Sequence, residues 1–174
     1  MLSTILMVGA APAHADENDP APPSASFPVY TEEIPPPEPT SCQAVAAIPY
    51  AKTATPPTDD RGSLNGVGAA LWGTTAGVTV TVTAWVQYGE TTGTSWINLT
   101  GGRSMTKNPA RVTDVYKLGQ HNYQGQFATF AKGVFVFTQP INETTTILPP
   151  NCSFGGGHSI ACYMRSPSLV YSEL

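Results

Sequence analysis

The feature that most constrains this chain is a run of strict alternation. Within residues 77–88, Val78, Val80, Val82, Ala84, Val86 and Tyr88 take turns with Thr79, Thr81, Thr83, Trp85 and Gln87. A period of two puts the first set on one face of an extended strand and the second set on the other. Wound at 3.6 residues per turn, the same valines would scatter around a helix and bury nothing together. β-Branched Val and Thr also suit a pleated surface. The run therefore reads as a half-buried strand with its valines inward, and such a strand needs a second layer to cover it.

The chain after Gly62 supplies candidates for that layer. Short β-prone runs at 66–73, 94–100, 110–118, 123–131, 133–139, 143–148, 158–164 and 167–172 are separated by Gly89, Gly93, Gly101-Gly102, Pro109, Gly119, Gly125, Gly133, Pro140, Pro149-Pro150 and Pro167. Turn residues at intervals of roughly ten positions mark a sandwich or barrel. No helix competes, because glycines crowd the short candidate Val67–Leu71. No internal repeat suggests a solenoid. The expected fold class is all-β: an antiparallel β-sandwich, of immunoglobulin-like or jelly-roll connectivity, over residues 63–174.

A different composition precedes it. From Asp16 to Asp60 the chain carries eleven prolines, including Pro22-Pro23, Pro35-Pro36-Pro37 and Pro56-Pro57. Each removes a backbone donor and pushes its predecessor toward extended geometry, so residues 16–62 are expected to be a disordered, proline-rich linker arm. The apolar interval Cys42 to Tyr50 interrupts it and reads either as an edge strand at 42–50 or as a docked segment. Charge follows the same division. Residues 1–42 hold six Asp and Glu and no Lys or Arg, a balance of -6, whereas residues 43–174 hold eight basic and six acidic side chains, a balance of +2. The arm is thus acidic and self-repelling, and solubility or spacing is the plain account of it. The dispersed cations of the β region lack the dense stripe that a phosphate backbone demands, so no nucleic-acid partner is expected.

The first residues suggest a destination. Met1 to Ala11 is an uncharged, mostly apolar run, followed by Ala13-His14-Ala15 and then Asp16. This reads as a signal peptide over 1–15 with cleavage after Ala15, although no Lys or Arg precedes the apolar run. No later stretch reaches the roughly 18 apolar residues of a membrane helix, so no membrane insertion is expected after signal removal and the product is expected to be secreted and extracellular. Three cysteines fit an oxidising compartment. Cys152 and Cys162, ten positions apart around Gly155-Gly156-Gly157, are the first choice of disulfide. Cys42 paired with either of them would close a far longer loop and stabilise more on the chain-entropy model, so that pairing stays open.

Two tryptophans lead the candidate sites. If Val78 to Val86 point inward, Trp85 projects with the threonines to the opposite face. In Ser95-Trp96-Ile97-Asn98-Leu99 the same parity turns Trp96 and Asn98 outward. Trp85, Trp96 and Asn98 then either compose a stacking platform for a sugar ring or a protein surface, or have a structural role on a face covered by the arm, by residues 42–50 or by an edge-strand packing shift. Catalytic patterns are weaker. His121 in Gly119-Gln120-His121-Asn122, with Asp114 upstream, matches no local signature of an activated serine. Glu90, Asp114, Glu143 and Glu173 are too dispersed to suggest the paired carboxylates of a glycosidase. Cys152, His158 and Cys162 fall one ligand short of a zinc tetrahedron, so no metal and no cofactor are expected. The resulting expectation is an exported, non-catalytic β-sandwich that binds an extracellular glycan or protein. The alternatives are a secreted protease inhibitor presenting Ser104 to Asn108 or the 152–162 loop, and a small hydrolase using His121 and Asp114.

Overall fold

The alternating run is a strand in the computed structural model, which describes residues 21–32, 40–52, 62–72, 77–90, 95–119 and 125–171. Among these residues the strands are β1 (Ser24–Val29), β2 (Thr40–Lys52), β3 (Ser63–Trp72), β4 (Val78–Gly89), β5 (Trp96–Asn98), β6 (Arg103–Thr106), β7 (Ala110–Lys117), β8 (Gly125–Phe137), β9 (Cys152–Phe154), β10 (Ser159–Arg165) and β11 (Leu169–Tyr171). All their pairings are antiparallel. They form two sheets: four strands in the order β1-β2-β3-β7, and seven built on β5-β4-β8-β10-β9, with β6 beside β4 and β11 beside β8. The chain is all-β, and its two antiparallel sheets pack face to face.

Side-chain size explains how closely the layers meet. Val80, Val82, Ala84 and Val86 of β4 are all at most 1% exposed and face the four-stranded sheet, as the alternation requires. Opposite the middle of β4, β2 and β3 turn small groups inward: Cys42, Ala44, Ala46, Gly68 and Ala70. Along the middle of the interface the backbones approach until a Cβ on Gly68 would lie 3.0 Å from Ala131 Cβ and 3.2 Å from Ala84 Cβ. Larger groups fill the two ends. Phe135, Phe137 and Ile160 close one, and Leu64, Val86, Leu118 and Phe127 close the other. A long strand pair, β4 with β8 over twelve residue partners, carries most of the wall.

The structure departs from the sequence expectations at identifiable places. Two strands lie within residues 16–62, the stretch expected to be a linker. β1 buries Ala25, Phe27 and Val29 on its inner face, and its Pro28 is tolerated because β1 is the edge strand of its sheet among the described residues. The strand expected at 42–50 is present as β2, but it sits between β1 and β3 and so is internal. Its Pro49 falls where the register shifts between Ala47 and Tyr50, so the missing amide interrupts no ladder bond. Gly133 is no turn: it lies inside β8, 3.2 Å in ideal Cβ position from Ala44 Cβ, where a larger residue would push the sheets apart. The run 143–148 is not a strand. Asn142 Oδ1 accepts from the amides of Thr144 and Thr145 at 3.2 Å each, and these local bonds replace a ladder. Residues 1–20, and with them the signal segment, lie outside the described residues, as does His121.

One disulfide joins Cys152 to Cys162, directly opposed residues of β9 and β10. Cys42 is a free thiol at 0% exposure among Phe27, Ala44 and the rest of the larger core cluster, and burial pushes its pKa far up. Of the pairings the sequence left open, the local one is therefore the bond present. Such a bond is compatible with an extracellular location. No helix among the described residues is long and apolar enough to cross a membrane.

Candidate functional site

The outer face of the seven-stranded sheet collects the tryptophans with groups the sequence reading did not place there. Cross-strand partners share a face, so the register can be read as rows running across the strands. Trp96 stands opposite Gly89, and Asn98 opposite Gln87, which in turn faces Ala128. The next row is Trp85, Phe130 and Arg165. Thr83 follows with Ser104 on one side and Lys132 and Tyr163 on the other, and then Thr81 with Thr106 and Val134. Every one of these side chains lies on the face opposite the valines of β4.

Arg165 is the centre of this arrangement. Its guanidinium carbon lies 5.1 Å from the centroid of the Trp96 ring and 5.4 Å from that of Phe130, so the planar cation is held between two aromatic faces. Arg165 Nε donates to Gln87 Oε1 at 2.9 Å, and Gln87 Nε2 donates to Asn98 Oδ1 at 2.9 Å. The chain of bonds crosses β8 over Ala128, whose single methyl leaves the guanidinium room to pass. Gln87 is 0% exposed and Arg165 7% exposed, although among the described residues no second layer of strands covers this face. The bonds satisfy polar groups that burial would otherwise penalise by about 1–3 kcal/mol each.

Around that centre the aromatic groups form a continuous ridge. Phe130 stacks on Tyr163 with centroids 6.1 Å apart and planes 20° from parallel, and Trp85 meets Phe130 at 5.6 Å and 40°. Lys132 Nζ sits 5.3 Å above the Tyr163 ring. Phe130 is buried, whereas Trp85, Trp96, Tyr163 and Lys132 are half-buried and offer their remaining surface to solvent. The residues between β5 and β6 press against Trp85. Val86 donates its amide to Thr100 Oγ1 at 3.0 Å, which fixes this connection, and a Cβ on Gly102 would overlap the indole nitrogen. Gly102 also has φ +82°, a second reason for glycine there. Beside the ridge, paired hydroxyls make a flat shelf: Thr81 with Thr106 at 2.9 Å, and Thr83 with Ser104 at 2.7 Å.

The sequence-derived trio thus meets on one face, with Trp85 and Trp96 separated by the Gln87–Asn98 row. That separation is about 14 Å at the usual rise of a strand residue. It is not a bare platform, because Trp96 carries Arg165 on its ring and Trp85 is backed by Gly102. Sequence reading put Gln87 on this face without assigning it to the site, and missed Phe130, Lys132, Tyr163 and Arg165. One unbroken strand over 125–137 puts Phe130 and Lys132 on the same parity, which a turn at Gly133 conceals.

The groups considered for catalysis are not assembled in the same way. Asp114 faces inward from β7 at 5% exposure, its Oδ1 accepting from the Val115 amide at 3.0 Å. Its intended partner His121 lies outside the described residues. Cys152 and Cys162 are bonded to each other, His158 Nδ1 lies 3.3 Å from the Phe137 carbonyl, and no group of three His, Cys, Asp or Glu among the described residues is placed to hold a metal. Of the segments considered for protease inhibition, Ser104 to Thr106 are paired with β4, and the 152–162 loop turns through Gly156 and Gly157 at φ +80° and +70°. No family model, curated protein or solved structure matches this chain.

Proposed function

We propose that this protein is a secreted, non-catalytic glycan-binding module whose ligand lies on the outer face of the seven-stranded sheet. The observation that carries the reading is the placement, on one face, of half-buried Trp85, Trp96 and Tyr163 beside the ordered hydroxyl pairs Thr81–Thr106 and Thr83–Ser104. A sugar ring has apolar C–H faces and a rim of hydroxyls, and its recognition calls for aromatic surfaces next to fixed donors and acceptors. A protein partner would be better served by the outer face of the four-stranded sheet, where Val45, Leu71 and Val115 are each about two-fifths exposed. Export is part of the same reading. The disulfide suits an oxidising compartment, and the apolar segment ending at Ala13-His14-Ala15 has the composition of a signal that would deliver the chain there.

The test is retention on insoluble and gel-embedded polysaccharides. Trp85→Ala with Trp96→Ala should abolish retention while near-ultraviolet circular dichroism and the urea midpoint report a folded chain. The milder Trp96→Phe should weaken retention by only a few-fold. Unchanged retention by the folded double variant would remove this face from the argument.

A further inference from the structure

Among the described residues, the charged side chains on the proposed face are Lys132 and Arg165. The strands of the seven-stranded sheet contain no Asp or Glu, and their remaining cation, Arg103, pairs with inward-facing Ala84. Glu90 follows β4, seven positions along from Thr83, which is Lys132's partner, or roughly 24 Å at the rise of a strand. Glu143 is turned elsewhere, with its Oε1 accepting from the Gly157 amide at 3.2 Å. Lys132 is in the row next to Trp85 and Phe130, and its ammonium is held 5.3 Å over the Tyr163 ring rather than ranging freely. Thr83 and Ser104 continue that row, hydrogen-bonded to each other at 2.7 Å. A ring resting on the aromatic ridge would therefore bring its substituents over a fixed cation and two hydroxyls.

We propose that the ligand is an acidic polysaccharide, its sugar rings stacked along Trp85 and Tyr163 and the anionic substituents drawn to Lys132. This deepens the glycan-binding reading and rests on it. A neutral glycan would leave Lys132 without a counter-charge in the complex, half desolvated by the ligand. An anionic one offers a charge-assisted bond at the point where water is displaced. Carboxylate and sulfate esters share this chemistry, and the probes separate them. The placement also predicts that a polyanion without sugar rings binds poorly, since charge alone gains nothing from the ridge.

The experiment is affinity electrophoresis of the full chain in gels containing polygalacturonate, dextran sulfate, neutral dextran or poly-glutamate, at about 0.15 M salt, where long-range attraction is screened. At least tenfold tighter retention by polygalacturonate or dextran sulfate than by both dextran and poly-glutamate is expected, and the stronger of the two identifies the anionic group. Lys132→Met keeps the alkyl stem over Tyr163 and removes the charge. It should lose about tenfold on the acidic glycan, Lys132→Arg should restore most of it, and Lys117→Ala on the opposite sheet should change nothing. Equal retention by dextran, or an unaffected Lys132→Met variant, overturns the acidic ligand while leaving glycan binding in place. Equal retention by poly-glutamate also overturns it, as attraction by charge alone. No retention by any glycan overturns both readings.

Discussion

The narrow middle of the sandwich makes a sharp claim about Gly68. Ala normally improves a strand position held by Gly, gaining about 0.4–1 kcal/mol by restricting the unfolded chain. Here the new methyl would meet Ala131 Cβ at 3.0 Å, Ala84 Cβ at 3.2 Å and Val82 Cγ2 at 3.2 Å. Carbon pairs prefer about 3.5–4.0 Å, so three contacts are too short at once. Two of the three neighbours are Cβ atoms fixed to the backbones of β4 and β8, which no rotamer change can move. Relief requires shifting β3 away from the other sheet, and overpacking of that kind costs about 1–3 kcal/mol. The net expectation is that Gly68→Ala destabilises by about 1–2 kcal/mol, lowering the melting temperature by a few degrees. Urea unfolding under non-reducing conditions measures it. Gly101→Ala is the control, because a Cβ there meets nothing within 4 Å, and it should be neutral or slightly stabilising. Ala131→Gly combined with Gly68→Ala should recover stability relative to the sum of the single changes, with a coupling of at least about 0.5 kcal/mol. If Gly68→Ala matched the control, the size-based account of how these sheets meet would be refuted.

Two further predictions concern buried polar groups. Thr129 Oγ1 is buried and has no hydrogen-bond partner among the described residues, so Thr129→Val, nearly the same shape, should stabilise by about 1 kcal/mol in the same urea assay; a loss of that size would mean that the hydroxyl is bonded in solution. Cys42 should react with a thiol reagent only after unfolding, giving no labelled thiol in native protein at pH 8 and one in denaturant. Because burial raises the folded pKa above the usual 9.0, the folded state keeps its proton while the unfolded chain loses it, so this group's contribution to stability is complete below pH 9.0 and declines above it. A Cys42→Ala variant should lose that alkaline decline, and an unchanged pH profile would assign it to another group.

How much of this was legible in the sequence depends on how local the determining physics is. The alternation of β4 is decided by its own residues and was readable without any partner, as was the bridge between Cys152 and Cys162, which closes a short glycine-containing loop. Gly133 and Pro28 mislead when read alone. Gly133 is a strand residue because Ala44, on another sheet and far away in sequence, occupies the space where its side chain would stand. Pro28 is permitted because β1 happens to be an edge, which strand order settles and local composition does not. The same limit applies to the candidate site. Trp85 and Trp96 follow from parity within their own segments, but Arg165 reaches that face only through the pairing of β10 with β8, seventy-eight positions from the Gln87 it bonds.

That long-range bond bears on how the proposed site would work. A sheet face without a covering layer ordinarily keeps its polar residues hydrated and its long side chains mobile. Here Gln87, Phe130 and Arg165 are at most 7% exposed because the side chains cover one another, with Trp96 lying over the guanidinium and Ala128 leaving it space. The half-buried ring surfaces of Trp85, Trp96 and Tyr163 are therefore set by what lies beneath them before any ligand arrives. A ligand that meets fixed rings and paired hydroxyls does not have to order them, and each rotamer-rich side chain left to be ordered would cost about 0.5–1.5 kcal/mol of affinity. In the Asn98–Gln87–Arg165 chain Gln87 and Arg165 are buried and only Asn98 is exposed, so the contribution of the two buried members to the proposed site would be positional. The chain fixes β5 against β4 and holds the cation flat between Trp96 and Phe130, and the even spacing of β4's outward side chains then dictates where the rings, hydroxyls and Lys132 stand.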